Sequence, residues 1–173
     1  MVLGQIKQNC WSSIVAPQVR KRNMPSVEMV FVFEQCANSK NGRSRIVQVF
    51  AGLLCLAITG SCRGSDAQRT QNMRCTKDAL TGESRMKNHL CWVQWAIPLI
   101  GLSGTDWITP WLEALTNCGL PGPDFIALGL KKCGSAWGDH PAEYADLEMM
   151  YHFILMNELN MSAADAQNTQ FMV

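Results

Sequence analysis

The chain has 173 residues, of which 47% are hydrophobic and 17% are charged, and its formal net charge is +1. The charged fraction is below the roughly 25% that is usual for globular proteins and the apolar fraction is ordinary, so the composition excludes an intrinsically disordered chain. A chain of this length can bury its own core. We expect one globular domain over residues 1–173, with loose ends at about 1–25 and 162–173.

The charge is divided unevenly along the chain. Residues 1–88 contain 13 Lys and Arg against 5 Asp and Glu, a net of +8, whereas residues 89–173 contain 2 against 9, a net of −7. A basic half is compatible with nucleic-acid binding through residues 20–22, 40–45 and 63–87. Because the basic residues form no dense run or stripe, we favour partial neutralisation of one half by the other and keep nucleic-acid binding as the alternative.

The eight cysteines do not follow the spacing of a zinc site or a disulfide scaffold. No two of them are separated by only two residues, and disulfide-dense domains are usually shorter and richer in cysteine. Cys55 and Cys91 lie in apolar runs, where a thiol behaves as a small hydrophobic group. We predict reduced thiols in a cytoplasmic protein. No signal peptide is visible, and the apolar run 46–60 is too short for a membrane span.

The strongest candidates for β-strands lie in the N-terminal half. Residues 26–35 and 45–50 are rich in β-branched and aromatic side chains, and Asn41-Gly42 between them favours a chain reversal. We therefore predict an antiparallel hairpin. Residues 52–59 are ambiguous between a third strand and a buried helix, because periodicity does not separate the two over a short run.

The remainder of the chain is predicted to be helical from its capping residues and apolar spacing. Asp66 and Asp124 are N-cap candidates, Thr109 precedes a proline suited to a first turn, and Gly119 and Gly134 occupy helix ends. The predicted helices cover residues 67–80, 83–97, 110–118, 125–133 and 141–161. The predicted fold class is α+β, with a small antiparallel hairpin or sheet from the N-terminal half packed against C-terminal helices, and a mainly α fold is the alternative.

The segment 141–161 is the best defined of these helices. Between Met149 and Met156 only His152 is polar, so apolar side chains almost encircle the helix. Such a helix requires cover on all sides, and its length and acidic ends favour cover by protein rather than lipid. We expect His152 to be a neutral histidine bonded to a nearby carbonyl or hydroxyl group; a pH-sensitive or catalytic role is the alternative.

Catalytic and metal-binding patterns are weak throughout. His89 and Cys91, with Cys75 upstream, supply too few ligands for a tetrahedral zinc site. Residues 101–105 (GLSGT) miss the G-x-S-x-G spacing by one position, and no Gly-Lys-Ser/Thr phosphate loop occurs. We therefore predict no catalytic, cofactor-binding or metal-binding residues. A thiol paired with one of the three histidines leaves a cysteine-dependent enzyme as an alternative.

Four tryptophans, Trp92, Trp95, Trp107 and Trp111, lie within twenty residues of one another. Large aromatic side chains most often pack in or at the edge of a core, but tryptophan is also enriched at the centre of protein–protein interfaces. The function we favour is non-enzymatic protein–protein interaction through these four side chains. Nucleic-acid binding, cysteine-dependent catalysis and the absence of any selected function are the alternatives, and no pattern predicts the oligomeric state.

Overall fold

A computed structural model describes residues 23–39, 44–85, 92–132 and 134–169 of the chain. The helices in these ranges are α1 (Val27–Asn38), α2 (Arg45–Thr59), α3 (Gly64–Gln68), α4 (Ile108–Asn117), α5 (Tyr144–Glu158) and α6 (Ala163–Gln167). The strands are β1 (Thr70–Cys75), β2 (Ala79–Arg85), β3 (Trp92–Pro98), β4 (Leu128–Leu130) and β5 (Trp137–Pro141). The predicted α+β class is therefore confirmed.

The predicted hairpin is wrong, because residues 26–35 and 45–50 lie in helices α1 and α2. Residues 52–59, which the sequence left ambiguous, continue α2. Serine caps start both helices: the Ser26 hydroxyl accepts from Met29 N at 3.4 Å, and the Ser44 hydroxyl accepts from Ile46 N at 3.3 Å. In the middle of each segment, apolar side chains occupy both faces that a strand would have, so alternation could not distinguish a buried strand from a buried helix. The Asn41-Gly42 turn lies outside the described residues.

The main sheet occupies residues predicted to be helical. Strands β1, β2 and β3 are antiparallel neighbours in that order, so the predicted helices over 67–80 and 83–97 are wrong. The apolar positions that suggested the second helix include Val93 and Ile97, and these lie two strand repeats apart on the same face of β3. A spacing of four residues therefore fits both the helical period of about 3.6 residues and the strand period of two. Met86 and Leu90, the other positions of that pattern, lie outside the described residues.

The predicted helix over 125–133 is also wrong, because its centre forms β4, which pairs with β5. Gln68 supplies the competing interactions. Its backbone carbonyl accepts from Ile126 N at 2.9 Å, and its side-chain amide bonds both backbone groups of Ala127. These long-range bonds hold the segment extended, against the helical signal of Asp124.

The helices predicted over 110–118 and 141–161 are confirmed with shifted starts. Helix α4 begins before Thr109 because the Asp106 carboxylate accepts from the backbone nitrogens of Ile108 and Thr109 at 2.9 and 3.0 Å. Gly119 follows the helix at φ +69°, as expected for a glycine that ends a helix. Helix α5 begins at Tyr144, after β5. The predicted loose end 162–173 includes α6, and residues 170–173 lie outside the described ranges.

The core forms around α2, which contacts α1, α3, α4 and α5. Eleven of its 15 residues are buried. Leu80 of β2 and Ile97 of β3 join this core from the main sheet. Burial of large apolar side chains against one central helix supplies most of the favourable free energy of folding.

A buried carboxylate fastens the loop after β3 to helix α1. Glu34 is fully buried, and its two oxygens accept from the backbone nitrogens of Leu102 and Ser103, each at 2.8 Å. A Cβ at Gly101 would overlap the carboxyl group, so glycine is required for this close approach. The pair of N–H donors satisfies a charge that would otherwise be costly to bury.

We predict that Glu34→Gln lowers the free energy of unfolding by about 1–3 kcal/mol, because the amide would place an N–H against one of the two backbone donors. Urea denaturation measures the change. Glu28→Gln, on the exposed part of the same helix, is the matched control and should shift stability by no more than about 0.5 kcal/mol. Equal midpoints for the two variants would contradict the role of Glu34.

Candidate functional site

Helix α5 is positioned by a capping box at its first turn. The Glu143 side chain accepts from the backbone of Asp146, and the Asp146 carboxylate accepts from Glu143 N at 2.9 Å. The other oxygen of Asp146 accepts from Leu130 N at 3.2 Å. One carboxylate therefore both starts α5 and fixes the helix to β4.

Helix α5 has a buried side and an exposed side, although both are apolar. The buried side chains face the core and are Leu147, Met150, Tyr151, Ile154 and Leu155. On the other side Met149, Phe153 and Met156 are 45%, 48% and 40% exposed. These three residues, here called the α5 stripe, are spaced i, i+4, i+7 and so lie on one face. The prediction that protein covers α5 on all sides is wrong, because only one of its faces packs against the core.

A groove adjoins the α5 stripe, between α5, the start of α2 and the loop after β4. It encloses about 430 Å³, which lies within the usual range of binding clefts. Its described lining is mainly apolar and includes the cationic side chain of Lys132. The described lining residues are Ser44, Ile46, Val47, Lys132, Gly134, Ser135, Met149, Met150 and Phe153. This α5 groove can accept an apolar side chain and place a negative group beside Lys132.

The four tryptophans do not share a surface. Trp107 and Trp111 are 1% and 0% exposed and pack against each other in the core, with ring centroids 5.8 Å apart. These two side chains are therefore inaccessible in this structure, and partner binding through the tryptophans remains a prediction. Trp92 is 43% exposed, so it is the most accessible of the four.

Trp95 is half-buried, and its side chain packs and hydrogen-bonds across the main sheet. Its ring covers Gly82, directly opposite on β2, where a Cβ would overlap it. The indole nitrogen donates to the Ser84 hydroxyl at 2.8 Å, and Ser84 in turn bonds Thr70 at 2.9 Å. A chain of hydrogen bonds thus crosses all three strands, which gives Trp95 a structural role.

Two of the three histidines, His140 and His152, lie within the described ranges. His152 Nε2 is buried without a hydrogen-bond partner there, contrary to expectation, and its ring lies edge-on to Tyr151 at 5.6 Å. His140 is exposed, with Nδ1 3.5 Å from Asp139. His89 lies outside the described residues, as does Cys91. Among the described side chains, no group of three or more His, Cys, Asp or Glu is arranged to hold a metal ion.

Three of the described cysteines have a raised thiol pKa. None of the five forms a disulfide. Burial raises the pKa of Cys55 well above its usual range, with Glu34 adding to the rise. Burial, followed by the charge of Asp66, raises the pKa of Cys62 to about 11. Burial and Asp106 raise the pKa of Cys75. Each shift lowers the thiolate fraction at neutral pH, whereas a catalytic cysteine needs the opposite.

The loop 101–105, which approximates a nucleophile elbow in sequence, has a structural role. Its backbone nitrogens bind Glu34, and the Ser103 hydroxyl bonds the Thr105 hydroxyl at 2.8 Å. Ser103 is thus engaged with a neighbouring hydroxyl rather than with a general base.

Seven of the 13 basic residues in the first half lie outside the described ranges, at positions 7, 20, 21, 22, 40, 43 and 87. Of the remainder, Arg74 and Arg85 are exposed on β1 and β2 of the main sheet. Nucleic-acid binding by the basic half therefore remains a prediction.

Comparison of the chain with protein-family models, with curated proteins and with solved structures finds no match. Within the described ranges, no helix combines the length and the apolar character needed to cross a bilayer. A functional site can therefore be assigned only from the burial and contacts of the described side chains. The sequence showed that apolar side chains almost encircle the middle of α5, but it did not show that the α5 stripe would be left exposed.

We predict that iodoacetamide labels Cys75 first among the described cysteines of the native protein, because its side chain is exposed, while Cys36 and Cys55 are protected by burial. The labelling rate of Cys62 should rise about tenfold per pH unit from pH 8 to pH 10, since its pKa lies near 11 and a free thiol levels off near 8.5. Peptide mapping by mass spectrometry resolves each cysteine. A short cysteine peptide is the control. If any described cysteine were labelled faster than this peptide at pH 7, that would contradict the raised pKa values.

Proposed function

We propose that the protein is a non-enzymatic binding domain that takes an apolar segment of another protein on the α5 stripe. The observation that carries this proposal is the exposure of Met149, Phe153 and Met156 on one face of a helix whose opposite face builds the core. Monomeric soluble proteins rarely leave contiguous large apolar side chains exposed unless the surface binds something. Two of the three are methionines, whose flexible side chains adapt to different partners.

The chemistry of the surface favours an amphipathic helix as the partner segment. Helices recognised in grooves present apolar side chains at the same i, i+4, i+7 spacing that the α5 stripe has. Lys132 at the rim of the α5 groove favours an acidic residue in the segment. The stripe itself contains no charged side chain, so it offers little to a nucleic-acid backbone.

The free energy available from covering the α5 stripe is too small for tight binding, so the partner must also enter the α5 groove. Complete burial of one large apolar side chain contributes about 1.5–3 kcal/mol, and the three side chains of the stripe are already half covered, so covering them contributes on the order of 2–4 kcal/mol. That free energy corresponds to dissociation constants of about 1 mM or weaker. A tighter complex therefore requires an additional side chain seated in the groove.

The proposal predicts the outcome of an unbiased selection of helical peptides displayed on phage. The selected peptides should carry apolar residues at i, i+4, i+7 together with an acidic residue. Phe153→Lys should weaken their binding at least about tenfold, because it places a charge at the centre of the buried contact. Fluorescence anisotropy measures the affinities.

Gln167→Lys, which adds the same charge on the exposed side of α6, is the matched control and should bind as the unmodified chain does. Circular dichroism should show that both variants are folded. Equal binding by Phe153→Lys and the unmodified chain, or a selection that yields no common pattern, would contradict the proposal.

A further inference from the structure

The two edges of the main sheet differ in how they are protected. Along β1, the register with β2 is interrupted between Gln71 and Arg74, Asn72 adopts φ +53°, and Arg74 places a charge on the strand. Bulges and charged side chains are the usual devices that prevent an edge from pairing with another strand. The β1 edge is therefore blocked.

The β3 edge has none of these devices along its described length. All seven residues pair with β2 in continuous register, from Trp92 opposite Arg85 to Pro98 opposite Ala79. The strand, WVQWAIP, carries no charged side chain, and its proline occupies the last position. Trp92 and Val93 are 43% and 45% exposed, on opposite faces of the strand. A regular, uncharged, apolar edge of this kind is suited to pairing with a further strand.

We propose that β3 pairs antiparallel with β3 of a second copy of this chain, which joins two three-stranded sheets into one of six strands. A strand free of charge meets no like charge when it faces itself across a twofold axis. If the axis passes through Trp95, Val93 of each copy lies opposite Ile97 of the other; if it passes through Gln94, Val93 lies opposite Trp95. Either register covers the exposed Val93 with an apolar neighbour.

The charges that flank the strand favour the antiparallel arrangement. Arg85 lies beside one end of β3, and Asp78 lies beside the other, where Leu99 N donates to its carbonyl at 3.2 Å. Antiparallel pairing sets Arg85 of one copy at the same end of the joined sheet as Asp78 of the other. Parallel pairing would set like charges together at both ends.

Sedimentation equilibrium over a wide range of chain concentration tests the proposal. We expect the unmodified chain to be a dimer, and we expect Gln94→Lys to raise its dissociation constant about tenfold or more. The two lysines would lie directly opposite each other if the axis passes through Gln94, and would be diagonal neighbours on one face if it passes through Trp95. Within one copy, the lysine can keep the neighbour that the Gln94 amide has, Glu83 Oε1 at 3.2 Å. A mixture of Gln94→Lys and Gln94→Glu chains should recover dimer, as a mixed species.

Thr116→Lys, which adds the same charge on the exposed side of α4, is the matched control and should leave the dissociation constant unchanged. Thermal melting followed by circular dichroism should show that all the variants are folded. A monomer at every concentration, or a dimer unaffected by Gln94→Lys, would overturn the proposal. Phe153→Lys should dimerise normally, so failure of this proposal and failure of peptide binding at the α5 stripe are distinguishable.

Discussion

The helical layer depends on the close approach of α2 and α4 at Gly52. The ring of Trp111 occupies the space that a Cβ at position 52 would fill, and its indole nitrogen donates to Val49 O at 3.0 Å. In the preceding turn of α2, the Gln48 amide donates to Ala37 O at 2.9 Å and to Pro110 O at 3.4 Å. Close packing at Gly52 and the hydrogen bonds of Gln48 thus involve the same two turns of α2. Together they connect α2 to both α1 and α4.

The two surfaces proposed to bind partners are apolar surfaces that do not pack against the core. With α1 and α4 fixed to α2, helix α5 closes the layer with one face, where Tyr151 packs against Phe33 with ring centroids 5.3 Å apart. Its other face, equally apolar, stays exposed as the α5 stripe. The main sheet meets the core through Leu80 and Ile97. Among the strands of the described ranges, β3 pairs with β2 alone. Both proposed interactions therefore follow from excess apolar surface rather than from a catalytic arrangement.

Local signals in the sequence located some elements and misled on others. Helices α4 and α5 were predictable because Pro110 and Gly119 mark the ends of the first, and Pro141 and acidic first turns mark the start of the second. The segments that became α1 and α2 have apolar side chains on both strand faces in their middles, so only their serine caps distinguished them from strands. Bonds from Gln68 to the chain 59 residues later decided β4, and no local pattern contains such information. For the same reason, the burial of Trp111 beside Gly52 and the exposure of Phe153 required the tertiary structure.

A double-mutant cycle on the free energy of unfolding tests the central constraint most directly. Gly52→Ala alone should destabilise the protein by about 1–3 kcal/mol, because the new methyl group overlaps the Trp111 ring. In a Trp111→Ala background the same substitution should be neutral, or stabilising by up to about 1 kcal/mol, since alanine is the better helix former. A Gly52→Ala effect that is equal in both backgrounds would contradict the account.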